Sequence, residues 1–238
     1  MIKINRLYII LILLSSCVTT KTALKNFNNA EYYDAATKFE KIIKEGDSQN
    51  SFLLGEALRK SNRLWQAQKY YTDAINYGYK EEIAYYYLAL SLKSNNDYDK
   101  ADSLISNYLG KGKDQNVISL MRRELQYINN LKNYPDTSYY RVKNLNAINT
   151  EFAEYSPSFS NDKLYFVSNR VSEKIYSGTG TPFTDLFEVK TRGANVDLNS
   201  LKKLDDNINN EKVNEGSITF SEDGMYMIFA KGNDGKNS

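Results

Sequence analysis

Three evenly placed alanines limit this chain more than anything else in its sequence. Ala35, Ala67 and Ala101 lie 32 and then 34 residues apart, each among larger apolar residues at helical spacing. Tyr32, Phe39 and Ile42 flank the first, Leu64, Tyr71 and Ala74 the second, and Tyr98, Ile105 and Tyr108 the third. Upstream of the second set stand Leu54, Gly55 and Leu58, and upstream of the third Leu88, Ala89 and Leu92. A small residue on one helix lets its antiparallel partner approach closely, and the large residue four positions on fills the flanking space. Self-similarity at about this period predicts stacked helix pairs. Asn62 and Asn95-Asn96 are suitable turn residues between the paired helices. A first helix is expected over about Thr20 to Asn28. An amphipathic run from about Gln115 to Asn133, with Val117, Ile118, Leu120, Met121, Leu125, Ile128 and Leu131, is expected to cover the apolar end of the stack.

These residues and their period resemble the tetratricopeptide repeat. The match departs from that family in two places: no proline closes any repeat, and the first repeat lacks the Leu-Gly pair. In the family, the first helix of each pair lines a concave groove. The resemblance therefore implies a protein-binding groove formed by Phe52, Glu56 and Arg59 of the second repeat and Tyr86, Leu90 and Lys93 of the third. Within Tyr85-Tyr86-Tyr87, Tyr85 is expected to face the helix pair as core.

Beyond Pro135 the helical period gives way to alternation. Runs at Tyr139 to Leu145, Lys163 to Ser168, Asp185 to Lys190, Ser217 to Phe220 and Met225 to Ala230 are separated by Asn, Asp, Gly and Ser clusters, the pattern of short antiparallel strands. Charge shifts at the same boundary, from a small basic surplus over residues 17–134 to a small acidic one over 135–238. Two stretches here copy one another. Glu154-Tyr155-Ser156-Pro157-Ser158-Phe159-Ser160-Asn161-Asp162 aligns with Glu215-Gly216-Ser217-Ile218-Thr219-Phe220-Ser221-Glu222-Asp223, and Leu164-Tyr165-Phe166 with Met227-Ile228-Phe229. This pair resembles the WD40-like propeller repeat PD40, a small-x-Phe-Ser-x-Asp-Gly turn before an apolar strand. The first copy has Asn161-Asp162-Lys163 where the second has Asp223-Gly224. A propeller closes with about four to eight blades. The expectation is therefore an incomplete propeller, in a sequence that is part of a longer product.

The N-terminus predicts a compartment. Lys3 and Arg6 precede the apolar run Leu7 to Leu14, which as a helix rises only about 12 Å, far short of the ~30 Å hydrocarbon core. Leu14-Ser15-Ser16-Cys17 follows and resembles the bacterial lipobox. That resemblance implies a signal peptide over residues 1–16 and a diacylglycerol-modified Cys17 at the mature N-terminus. Without those sixteen residues the net charge falls to zero, and a nucleic-acid binder would need a basic surplus.

Composition removes most catalytic machinery. The chain has no His, which excludes Ser-His-Asp triads, imidazole metal ligands and a His general base. Its one Cys excludes internal disulfides and thiolate clusters. Ser160-x-x-Lys163 matches a nucleophile pattern but falls in an expected hairpin turn rather than at a helix start. Gly178 and Gly180 lack the lysine of a phosphate loop and read as an inter-strand loop. Asp205-Asp206, Asn207 and Asn209-Asn210 lack the ordered alternation of a calcium loop and read as a solvated loop. No metal, no cofactor and no enzymatic activity are expected.

The expected fold is thus multidomain, α then β: a signal peptide (1–16), a tetratricopeptide-like α-solenoid with a capping helix (17–134), and a partial PD40 β-propeller (135–238). That order resembles the Bacteroidetes cell-envelope lipoproteins that continue into an OmpA-like domain, including PorE-type components associated with type IX secretion and gliding. The resemblance implies an outer-membrane-anchored scaffold facing the periplasm, with envelope proteins bound by the groove and the propeller. Peptidoglycan would be reached only through a C-terminal domain that is not in this sequence. The alternatives are a binding module for glycan or peptide uptake and the N-terminal part of a propeller-containing peptidase.

Overall fold

The computed structural model describes residues 18–133, 144, 145, 147–193 and 195–232. Helices come first: α1 (Thr20–Asn28), α2 (Tyr32–Ile42), α3 (Ser48–Lys60), a 3-10 turn at Leu64–Gln66, α4 (Gln68–Asn76), α5 (Ile83–Ser94), α6 (Tyr98–Leu109) and α7 (Gln115–Asn133). The 3-10 turn splits the run expected to be one helix from Leu64. Each helix packs on the next, and α7 also reaches α5. Ala35, Ala67, Ala89 and Ala101 are fully buried where these helices meet. Gly55 shows how tight the approach is, because a Cβ there would lie 2.7 Å from the Tyr71 ring.

The corners within the three helix pairs are copies of one another. Ala30, Asn62 and Asn96 each adopt a left-handed backbone, with φ of 60°, 61° and 61°. The next residues, Glu31, Arg63 and Asp97, donate their N–H to the carbonyls of Asn26, Leu58 and Leu92 at 2.9, 2.8 and 2.9 Å. This is the six-to-one bond that closes a helix through a left-handed residue, and asparagine tolerates that conformation better than most.

The strands follow: β1 (Glu154–Ser160), β2 (Lys163–Ser168), β3 (Ile175–Tyr176), β4 (Thr181–Pro182), β5 (Asp185–Arg192), β6 (Asn195–Lys203), β7 (Glu215–Phe220) and β8 (Met227–Lys231). One antiparallel sheet runs β1-β2-β5-β6, while β3–β4 and β7–β8 form separate hairpins. Most of the strand expected at Tyr139 to Leu145 lies outside the described residues, and Asn144 and Leu145 are in no strand. Strand alternation gives the four-stranded sheet two apolar faces. Leu164, Phe166, Phe187 and Val189 pack on one face with Ile148. Val167 and Leu186 pack on the other with Ile218 of β7.

The paired sequence copies fold alike. Both hairpins carry a bulge at the same step, between Tyr155 and Ser158 in β1 and between Gly216 and Thr219 in β7. The serine inside each bulge has a positive φ, 51° at Ser156 and 46° at Ser217. Their turns differ. Asn161 and Asp162 make a two-residue turn with both φ positive, whereas β7 and β8 are joined by a longer loop containing Gly224 at φ 69°.

Candidate functional site

The expected groove residues do not form an open wall. Phe52 is only 8% exposed; it stacks on Tyr79 with ring centroids 4.2 Å apart and meets Tyr71 edge-on at 6.0 Å. Glu56 is 6% exposed because its carboxylate accepts Arg59 Nε at 2.8 Å, Arg59 Nη2 at 2.6 Å and the Tyr71 hydroxyl at 2.7 Å. Both residues were expected to project into the groove, and both instead sit between α3 and its neighbours. The cause is the ring cluster: the phenyl group packs among aromatic rings, and the carboxylate can be buried because Arg59 and the Tyr71 hydroxyl serve it.

Arg59 carries this cluster outward, with its guanidinium carbon 4.3 Å from the centroid of Tyr87. The hydrogen bond to Glu56 holds the Arg59 charge, raising its pKa despite burial. Burial, then the Glu56 charge, pushes the Tyr71 hydroxyl up, and burial pushes Tyr79 up to about 12. These hydroxyls are therefore donors at neutral pH and not anions. Tyr86 and Leu90 are half-buried, and Lys93 pairs with Glu124 of α7. Tyr87 is the member of the tyrosine run that reaches α3 and α4, a contact that no local pattern signals. Tyr85, expected as core, is half-buried and packs 5.4 Å from Tyr108 on α6.

The remaining candidates have simple settings. Cys17 lies outside the described residues. Lys163 Nζ donates to both carboxylate oxygens of Glu188, at 3.0 and 2.9 Å, across adjacent strands. Asn209 corrects the reading of its loop as solvated. It is 2% exposed, accepts the Leu186 N–H at 2.7 Å and donates to the carbonyls of Leu186 and Leu204 at 3.1 and 2.8 Å. Among the described residues no cluster of acidic side chains is placed to hold a metal ion.

The loop containing Gly178 and Gly180 joins the two halves. Among the described residues no side chain caps the N-terminus of helix α2. Its Tyr33 N–H is instead accepted by the carbonyls of Ser177 and Gly178 at 3.0 and 3.2 Å, so a β-turn satisfies a helix-end donor. Gly180 is required there: its φ is +76°, and a Cβ would lie 2.0 Å from the Tyr33 ring.

Beside this contact lies a cavity of about 700 Å³. Tyr33 and the Asn62-Arg63 corner form its helical wall, and Tyr155, Asn169, Tyr176 and Asn214 contribute to its sheet wall. No protein-family model matches the chain, and neither does any curated protein. No helix among the described residues is long and apolar enough to cross a membrane.

Proposed function

We propose that the protein is a lipid-tethered, non-catalytic scaffold whose tetratricopeptide-like helices and PD40-type sheets present docking surfaces at the periplasmic face of the outer membrane. The observation that carries this reading is Leu14-Ser15-Ser16-Cys17 directly after an eight-residue apolar run, with the only cysteine of the chain at the acceptor position. Each acyl CH2 buried in a bilayer contributes about 0.8 kcal/mol, so several chains on one residue give lasting attachment. Tethering then raises the effective concentration of every surface on the chain toward neighbouring envelope proteins.

Two structural features support the repeat assignments. The three left-handed corners support a solenoid built from one repeated helix pair. Hairpin β7–β8, stacked face-on against sheet β1-β2-β5-β6 through Ile218, Val167 and Leu186, supports blade-on-blade packing of the propeller kind. The partners in view are envelope proteins of the secretion and gliding type. The test is Cys17→Ser in the native envelope. The expected outcome is loss of the protein from the membrane fraction, with mass spectrometry of the wild type finding an acylated residue 17. Unchanged membrane retention of the variant would overturn the anchor.

A further inference from the structure

We infer that the cavity between the Asn62-Arg63 corner and the sheet is a binding site for a small organic monocarboxylate. Arg63 stands in the helical wall of this cavity. Its Nε donates to Ser61 Oγ at 3.0 Å and its guanidinium carbon lies 4.6 Å from the Tyr33 ring centroid, so the side chain is held on two sides. Its Nη2 is buried and has no hydrogen-bond acceptor among the described residues. That nitrogen is closed to water and to ligands alike, so the positive charge is offered to the cavity by the remainder of the Arg63 side chain, which lines it.

The surrounding wall has the same polarity. The Asn169 side-chain oxygen accepts the Ala153 N–H at 3.0 Å. The Asn214 side-chain oxygen accepts the Thr184 N–H at 3.0 Å and its hydroxyl at 3.2 Å. Both amides are thereby oriented, and among the described residues their NH2 groups have no acceptor. Among the described residues no aspartate or glutamate lines the cavity, and Arg63 is the one cationic residue that does. Fixed donors around a single positive charge select a ligand rich in acceptors and carrying one negative charge. A carboxylate monoanion satisfies this, whereas a phosphate dianion would want a second cation.

Tyrosine rings supply much of the remaining wall, and Tyr155 keeps 43% of its surface exposed on β1. The ligand body is therefore apolar or ring-shaped, and the volume suits one small molecule. The three copied corners sharpen the point. Glu31 and Asp97 occupy the positions equivalent to Arg63, so the second corner alone carries a positive charge where the others carry a negative one. The inference does not depend on the lipid anchor.

Isothermal titration of the full chain tests it with two carboxylates, benzoate and D-glucuronate, against their neutral counterparts benzamide and D-glucose. At least one carboxylate should bind saturably, and its neutral counterpart roughly 10- to 100-fold more weakly, as expected for a hydrogen bond to a charged group. The body preferred, aromatic or sugar, identifies the source of the ligand. Arg63→Gln should remove the discrimination, and Tyr155→Ala should weaken binding while preserving it, with circular dichroism confirming that both variants are folded. Absence of binding by both acids, equal binding of acid and neutral counterpart, or stronger binding of inorganic phosphate would each overturn the site. Should Arg63→Gln fail to fold, the acid-against-neutral comparison in the wild type still decides.

Discussion

Hairpins β1–β2 and β7–β8 share a bulge, a left-handed serine and an opening glutamate, yet the two glutamates live in opposite electrostatic settings. Glu154 accepts the Thr150 N–H at 3.0 Å, the Thr150 hydroxyl at 2.6 Å, the Ser168 hydroxyl at 3.1 Å and Arg170 Nη2 at 3.0 Å. Burial opposes the charge, but these bonds and the Arg170 charge outweigh it and hold the carboxyl below its ordinary range. Glu215 is fully buried; it accepts the Asn210 N–H at 3.1 Å and lies 3.5 Å from Lys231 Nζ. One of its oxygens has no partner among the described residues, and burial pushes its carboxyl up. The two copies therefore share the backbone that makes the bulge but not the chemistry at its start. Strain at a serine is a local property that travels with the sequence motif, whereas the stability of a charge depends on groups brought in from elsewhere.

The largest expected effect breaks the better-served site. Arg170→Met removes the cation from Glu154, a donor from the Ser168 hydroxyl and the Nη2 bond to the Ile148 carbonyl at 2.6 Å. With both partners nearly buried, the loss should be about 3 kcal/mol, read as faster hydrogen exchange across β1 and β2. A loss no greater than the ~1 kcal/mol of a surface pair would show that the hairpin does not rely on this cluster.

Matched substitutions come next. Glu154→Gln should cost about 2 kcal/mol by leaving a buried cation less well paired. Glu215→Gln, which neutralises a poorly partnered charge, should change stability by less than about 1 kcal/mol in either direction. Similar losses at both sites in urea unfolding would erase the distinction.

Acid should separate the hairpins by sign. With a folded-state value below the ordinary 4.5, Glu154 contributes stability that is present above that pH and fades as pH falls through the lowered value. With a raised value, Glu215 contributes stability that is full below 4.5 and fades as pH rises through the raised value. Exchange protection between pH 7 and 3, corrected for intrinsic rates, should therefore fall in β1 and rise in β7.

The smallest expected effect is one the hairpins share. Ser156→Gly and Ser217→Gly each relieve a positive φ at the expense of backbone entropy, for a gain of about 0.5 kcal/mol apiece. Unequal gains in thermal midpoint would show that the two bulges are not equivalent.

Much of this architecture was legible in the residues. The limits of α1 and α7 agree with the apolar periodicity, and β2 and β5 begin where the alternation begins, because local pattern and tertiary burial agree there. β6 was not legible: Asn195–Lys203 is mostly polar and takes its strand form from pairing with β5. Phe52 and Glu56 were misplaced because their burial depends on Tyr71 and Tyr79, which arrive from other parts of the chain. The Arg63 cavity was equally hidden, since its walls are more than a hundred residues apart in places. One signal did exist: Arg63 stands just past a turn asparagine, where the companion repeats carry Glu31 and Asp97.

The link between α2 and the β3–β4 turn consists of an amide and two carbonyls. No side-chain identity is needed to make it, so mutational drift can rewrite almost every residue along the seam and leave the joint standing. Only proline at position 33, which deletes the N–H, or a side chain at position 180, which collides with the ring, strikes it directly. A joint of this sort ties the strands to the helices chiefly through main chain, and its persistence in diverged relatives would be invisible to residue matching.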